Sequence, residues 1–314
     1  MKKVLIFVCA LIFAFILVSC NEGDKVSESP DAYHIAFTDD DGRDITLKSK
    51  PEKVAVLFSS HAQMVLLSGG SIDVTVGETV ERGFVKQGTP LVDDGAGKKI
   101  NNELLIAQNP DFVVGSYDIA AHRETAELLN GAGIPTALFR VEDFSDYERV
   151  MRILCDIFED GDAYQRNVSE VKKGIEDVLS QIPDGEKKKI LFVRCASFSK
   201  ATKAKTKNEN FVCAMLDRMN TYNIAENAPV LLDGLSIEEI ILENPDYIFF
   251  STMGDEMAAK EYMKGVLESD EWQTLDAVKT GKYTFLDKEL FQYKPNNRWD
   301  TAYKTLAELL YESK

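Results

Sequence analysis

The residues of this chain that could do chemistry sit at the ends of short apolar runs. Ser60 and His61 follow Val54-Ala-Val-Leu-Phe58, Tyr117 follows Phe112-Val-Val-Gly-Ser, and Arg140 follows Thr136-Ala-Leu-Phe139. Arg194 follows Ile190-Leu-Phe-Val193 with Phe198 just beyond it, Met253 follows the run that begins at Tyr247, and Lys294 and Arg298 precede the last apolar segment. Arg and Lys suit an anionic ligand through charge-assisted hydrogen bonds. Tyr and Phe suit a flat ring. His61 can ligate a metal or hydrogen-bond a ligand, and it can equally cap the helix that follows. Tyr117 serves better as a wall than as a metal ligand, and Met253 better as packing than as a ligand. Lys294 and Arg298 can close on a ligand or pair with surface acids. The run Lys200, Lys203, Lys205 and Lys207 reads first as a solvated loop, some of which could reach an anion. No Gly-x-Ser-x-Gly elbow, phosphate-binding Gly loop or His-Glu-x-x-His is present. A catalytic role is therefore not expected.

Each of these runs reads as a strand buried on both faces, and strands alternate with apolar helices, the grammar of an α/β fold. In an open α/β sheet ligands bind beyond the carboxyl ends of the strands, and that rule selects the residues above. One unit occurs twice. Asn101-Asn-Glu-Leu-Leu-Ile-Ala-Gln-Asn-Pro-Asp111 and Ser236-Ile-Glu-Glu-Ile-Ile-Leu-Glu-Asn-Pro-Asp246 each give a cap residue, a short helix and an Asn-Pro-Asp stop before a buried strand. Ser236 and Glu239 have the spacing of a capping box. Glu103 and Glu238 fall at the same place in the two copies. A duplicated unit predicts two similar lobes and a cleft between them. Between the copies, apolar residues at three- and four-residue spacing predict helices over 146–158 and 162–181. The second, about 20 residues, would span roughly 30 Å and can join the lobes. The fold class is α/β, two Rossmann-like lobes joined by one long helix, with lobes at 34–158 and 184–314 and the connecting helix at 159–183. Residues 72–77 read as a further strand of the first lobe.

The chain of 314 residues, 45% hydrophobic and 28% charged, has the length and composition of a two-lobed globular protein. A formal charge of −16 argues against nucleic acid as a partner. Lys2 and Lys3 precede an apolar run from Val4 to Val18, a secretory signal over 1–19 that is too short for a membrane span. Leu17-Val-Ser-Cys20 reads as a lipobox, with Cys20 as the lipid-bearing thiol and a polar tether over 20–33. Of the five cysteines, Cys9 leaves with the signal and Cys155 lies on an apolar helix face. Cys195 and Cys213 could pair if the fold brings them together.

Several motifs in order complete the reading: Asp41-Gly-Arg43, Pro51-Glu-Lys-Val54, both Asn-Pro-Asp units, and Trp272 followed by Ala277-Val-Lys-Thr-Gly-Lys-Tyr283. With these the chain resembles, over nearly everything after the tether, the solute-binding proteins of bacterial ATP-driven importers for iron-siderophores, haem and cobalamin. The resemblance implies a monomeric receptor held by its lipid on the extracytoplasmic face of the cell membrane. It implies no intrinsic cofactor, a transported ferric siderophore, haem or cobalamin, and delivery to an ABC permease and its ATPase. It also implies that Glu103 and Glu238 engage basic pockets on the permease; alternatively each is a first-turn Glu favoured by the helix dipole. For a haem ligand, His61 and Met253 become candidates for the iron. A zinc or manganese receptor of similar architecture is the alternative. Such a site needs several His and carboxylates, and the chain has three histidines: His34, His61 and His122.

Overall fold

The short apolar runs become the strands of one parallel sheet and one mostly parallel sheet. The computed structural model describes residues 35–94 and 99–312. The signal over 1–19, Cys20, the tether over 20–33 and His34 lie outside the described residues. By its contacts the chain divides into Met1–Ala32 and Tyr33–Lys314, and every feature below belongs to the second unit. It opens with a hairpin, β1 (Ile35–Thr38) paired antiparallel with β2 (Asp44–Leu47). Gly42 in its turn takes φ +77, where a side chain would be strained.

The first sheet has the order β3 (Val54–Val56), β4 (Phe112–Ser116), β5 (Thr136–Phe139), all parallel. The strand expected over 72–77 reduces to two bridges, Val74 to Ala55 and Thr75 to Leu91. It stops there because the chain turns into a helix at Gly77, whose N–H donates to Asp93 Oδ1 at 2.8 Å. The second sheet is built on β6 (Lys188–Cys195), which pairs with β7 (Lys203–Ala204), β8 (Thr221–Asn223) and β9 (Tyr247–Thr252), and β9 pairs with β10 (Tyr283–Phe285). All these pairings are parallel except β6 with β7.

Strand alternation sorts the side chains into three cores. Ala55, Leu57 and Val113 pack on the far face of the first sheet, and Leu191, Val193, Ile248 and Phe250 on the far face of the second. Their neighbours Val54, Val56, Phe112, Ile190, Phe192 and Phe249 all join one core that runs from sheet to sheet. The bridge is helical: Phe144–Phe158, Glu170–Leu179 and the closing helix Trp299–Tyr311 supply Tyr147, Leu154, Val171, Ile175 and Trp299. A hinge that separated the lobes widely would have to open this shared core.

The connecting helix is not uniform. Gly161–Tyr164 is α-helical, Gln165–Ser169 forms one π turn, and Glu170–Leu179 is α-helical again. A π turn releases carbonyls from the ladder, and the Tyr147 hydroxyl donates to one of them, Asn167 O, at 3.0 Å. Gly174 lets this helix approach the closing helix, since a Cβ there would lie 2.8 Å from Asp300 Cβ. Among the described residues no helix is long and apolar enough to cross a membrane. Cys155, Cys195 and Cys213 are buried free thiols, so Cys195 and Cys213 do not pair.

Candidate functional site

At the end of β3 the chain enters a helix at once. The Ser59–Leu67 helix has Phe58 as its N-cap with no side-chain cap bond, so His61 does not cap it. Ser60 and His61 sit in its first turn, each only 2% exposed. His61 Nδ1–H donates to Gly115 O of β4 at 3.1 Å, and the ring packs edge-on against Phe58 and Phe139. Burial lowers its pKa to about 3, so the imidazole is neutral. His122 Nδ1 in turn accepts the Ser116 N–H at 3.0 Å. Two histidines thus brace the carboxyl end of β4. Beyond it, the half-buried Tyr117 ring lies 5.4 Å from the Arg123 guanidinium and 6.0 Å from that of Arg140. Arg140 itself is exposed and pairs with Asp118 at 3.2 Å.

In the second lobe Arg194 is not beyond the strand but within β6, because the strand outlasts its apolar stretch. Its register partners are Ser251 of β9 and Lys203 of β7. Burial pulls the guanidinium below its ordinary pKa. Ser251 is buried, and its hydroxyl lies 3.3 Å from Phe291 O and from Gln292 Oε1. Met253 is half-buried, and its N–H donates to Cys195 O at 2.8 Å. Phe198 is exposed, at 55%.

The segment after β10 crosses to the first lobe. Lys294, 18% exposed, pairs with Glu142 at 3.3 Å and lies over the Phe211 ring. Burial lowers its pKa, and Glu142 opposes that shift. Lys294 is also close enough to His61 to disfavour the imidazolium. Asn296, held at φ +53, donates from Nδ2 to Ser60 O at 3.0 Å and Gln63 Oε1 at 2.8 Å. Arg82 is the centre of a further crossing. Its guanidinium stacks 3.9 Å from the Tyr293 ring centre, reaches Ser59 Oγ at 3.2 Å and pairs with Glu289 at 3.3 Å. Arg298 is exposed and donates to Glu289 O at 3.3 Å.

Ser60, His61 and Lys294 therefore belong to one interlobe network. Arg140 and Tyr117 form a separate group on the first lobe, and Arg194 lies in the second sheet. Arg82, Tyr293 and Asn296 were not singled out by sequence, because none follows a strand. An Asn directly after Lys-Pro was the one available signal, since Asn tolerates the left-handed conformation. Among the described residues no group of three or more His, Cys, Asp or Glu could hold a metal ion. The zinc or manganese alternative therefore has no donor set among them.

The repeated unit lies apart from this network. Glu103 and Glu238 are both exposed in the first turns of matching helices, Asn102–Ala107 and Ile237–Glu243. Leu105 and Ile240, equivalent in the two copies, are fully buried beneath them. Ser236 does not make the expected capping box; its hydroxyl donates instead to Glu238 at 3.1 Å.

Comparison with known proteins agrees with this architecture. A family described as periplasmic binding protein matches residues 54–290. An uncharacterized ABC transporter substrate-binding lipoprotein, YvrC of Bacillus subtilis strain 168, is 24% identical, with 99% of this chain and 98% of that protein covered. The siderophore-binding protein BauB, bound to ferric iron and two acinetobactin molecules, shares the fold with a TM-score of 0.70 at 17% identity, covering 88% of this chain and 97% of that one. So does Staphylococcus aureus IsdE complexed with haem, with a TM-score of 0.64 at 15% identity, covering 83% and 99%. The same fold thus accommodates a siderophore complex in one neighbour and haem in the other.

Proposed function

The chain belongs to the periplasmic binding protein family, and we propose that it is the substrate-binding lipoprotein of an ABC importer. It captures an iron chelate such as a ferric siderophore, or a haem- or cobalamin-like ligand, between its lobes and hands it to the permease and its ATPase. The observation that carries this reading is the crossing between the lobes: Asn296 reaches Ser60 at the carboxyl end of β3, Lys294 pairs with Glu142 beyond β5, and Arg82 stacks on Tyr293. Strand carboxyl ends are where open α/β sheets bind ligands. The ligands of BauB and IsdE support the chelate and tetrapyrrole classes without choosing between them.

The lobes are assigned to 34–158 and 184–314, with 159–183 as the connection. Cys20 carries the lipid that holds the receptor on the extracytoplasmic face of the membrane, a reading supported by the lipoprotein relative. Glu103 and Glu238 dock the two lobes on the two halves of the permease. The helical connection and shared core favour a small closure over a wide hinge motion. The test is a titration of the full chain with haemin, cyanocobalamin, a ferric tris-catecholate, ferric citrate and a ferric tris-hydroxamate, followed by quenching of Trp272 and Trp299. Saturable binding of at least one is expected, and saturation by none overturns the ligand class.

A further inference from the structure

The cations of the interlobe region differ in one respect. Arg82 has Glu289 at 3.3 Å, Lys294 has Glu142 at 3.3 Å, and Arg140 has Asp118 at 3.2 Å. In the basic run of the second lobe, Lys205 has Glu209 at 3.3 Å and Lys207 has Asp217 at 3.1 Å. Arg194 and Lys203 have no acid and no hydrogen bond from their side chains among the described residues, and the Arg194 Nε is buried without a partner. They are also directly opposite each other on the antiparallel pair β6 and β7. Residues so placed share a face, and like charges placed so destabilise a sheet. The face is known from their neighbours. Val193 and Ala204 pack in the far core, so Arg194 and Lys203 point the other way, with Phe192. Ser251 continues their row onto β9 and contacts Phe291 and Gln292, at the start of the segment that crosses to the first lobe. Lys200 and Arg298 also lack an acid but are exposed to solvent, whereas a half-buried guanidinium facing an ammonium, with no carboxylate on either, is a site lacking its anion.

We infer that Arg194 and Lys203 together anchor an anionic group of the captured ligand, which makes the ligand class a chelate or tetrapyrrole presenting carboxylate or catecholate oxygens. This rests on the cleft reading proposed above. Arg194 offers the planar fork that matches two oxygens, and Lys203 adds a second charge beside it. Haem propionates, a citrate-type carboxylate and a catecholate share this chemistry. A neutral ferric tris-hydroxamate and cyanocobalamin, whose corrin side chains are amides, do not supply it at the same density.

The experiment is the titration above repeated on full-length Arg194→Gln and Lys203→Gln, with thermal unfolding of each without ligand. Wild type is expected to bind haemin, the ferric tris-catecholate or ferric citrate, and which of the three saturates identifies the source of the anion. Arg194→Gln should weaken that ligand about tenfold or more, and Lys203→Gln several-fold. Neither variant should lower the unfolding temperature of the unliganded chain, because each removes one member of a repulsive pair. A purely structural role predicts the reverse: lower unfolding temperature with unchanged affinity. Binding of the neutral tris-hydroxamate or cyanocobalamin alone, unaffected by either variant, overturns the inference and leaves the binding-protein reading standing. Failure of every probe with wild type overturns the chelate-or-tetrapyrrole ligand class and the inference with it. Should Arg194→Gln not fold, Lys203→Gln on the surface-side strand still decides the outcome.

Discussion

The two copies of the repeated unit hold together in the same way and begin differently. In both, the Asn of Asn-Pro-Asp takes the left-handed conformation that ends the helix, φ +51 at Asn109 and φ +44 at Asn244. In both, the Asp ties the incoming strand to its neighbour. Asp111 N–H donates to Lys53 O at 3.0 Å and Asp246 N–H to Lys189 O at 2.8 Å, and each carboxylate accepts from the backbone of that same neighbouring segment. The starts diverge: Asn101 Oδ1 accepts the Leu104 N–H at 2.9 Å, whereas Ser236 makes no cap bond. Scaffold bonds are thus duplicated, and neither glutamate takes part in them. Around the cleft the lobes are unlike, with the first lobe's Arg82 and Arg140 neutralised and the second lobe's Arg194 and Lys203 not. A symmetric outer surface suits a two-fold partner, and an asymmetric inner one suits an asymmetric ligand.

The largest test of that symmetry is charge reversal. Glu103→Lys combined with Glu238→Lys is expected to abolish uptake of the ligand by cells while affinity measured by fluorescence stays within about twofold of wild type. On the docking proposal the carboxylates steer and orient the receptor on the permease and take no part in ligand binding. Each single reversal should lower uptake by a comparable factor if the two sites are equivalent. Wild-type uptake by the double variant would rule out the docking role.

Histidine sharpens the comparison by pH. All three histidines precede residue 158, so the second lobe has none. Burial is the main cause of His61's folded pKa of about 3, with His122 and Lys294 adding to the shift and the Gly115 hydrogen bond opposing it. The unfolded chain takes up this proton below about 6.5, and the folded chain does not until near 3. The associated stability is therefore fully present above pH 6.5 and declines as pH falls through that window. The slope from this group is about 1.4 kcal/mol per pH unit. Denaturant unfolding between pH 6.5 and 4.5 should show it, and His61→Gln, whatever its own stability, should flatten it by about that amount. Hydrogen exchange should place the acid-induced opening in β3 and β4 before β6 and β9. An unchanged slope in His61→Gln would show that the imidazole is not the titrating group.

Much of this was legible in the sequence, because the signals were periodic and local. The runs Phe112–Ser116 and Thr136–Phe139 begin and end where the residue pattern puts them. The π turn was hidden, since an apolar stripe barely registers one residue of slip and the Tyr147 contact that accommodates it is twenty residues away. The strand over 72–77 failed because Asp93, a remote residue, claims the Gly77 N–H. The site was harder. Loops after strands could be selected by rule, which reached Lys294, Ser60 and Arg194. The rule could not see that His61 would be buried by helix packing, nor that Arg82 would be drawn under Tyr293. Those placements depend on tertiary contacts between residues 54 and 211 positions apart in the chain.

The smallest tests address the scaffold bonds themselves. Asp111 accepts from two backbone N–H groups, Glu52 at 2.8 Å and Lys53 at 3.0 Å, while Asp246 accepts from one, Lys189 at 2.8 Å. All three bonds are exposed, so each is worth about 1 kcal/mol at most. Asp111→Ala should then cost about 2 kcal/mol and Asp246→Ala about half that, read as a shift of the denaturant midpoint at constant slope. At the helix starts the expectation is a difference in kind. Asn101→Ala removes a cap bond and should cost about 1 kcal/mol. Ser236→Ala removes a hydroxyl that serves only Glu238 and should cost no more than a few tenths of that. If the two cap variants were equally destabilising, Ser236 would be capping its helix in solution, and the two copies would begin alike as well as end alike.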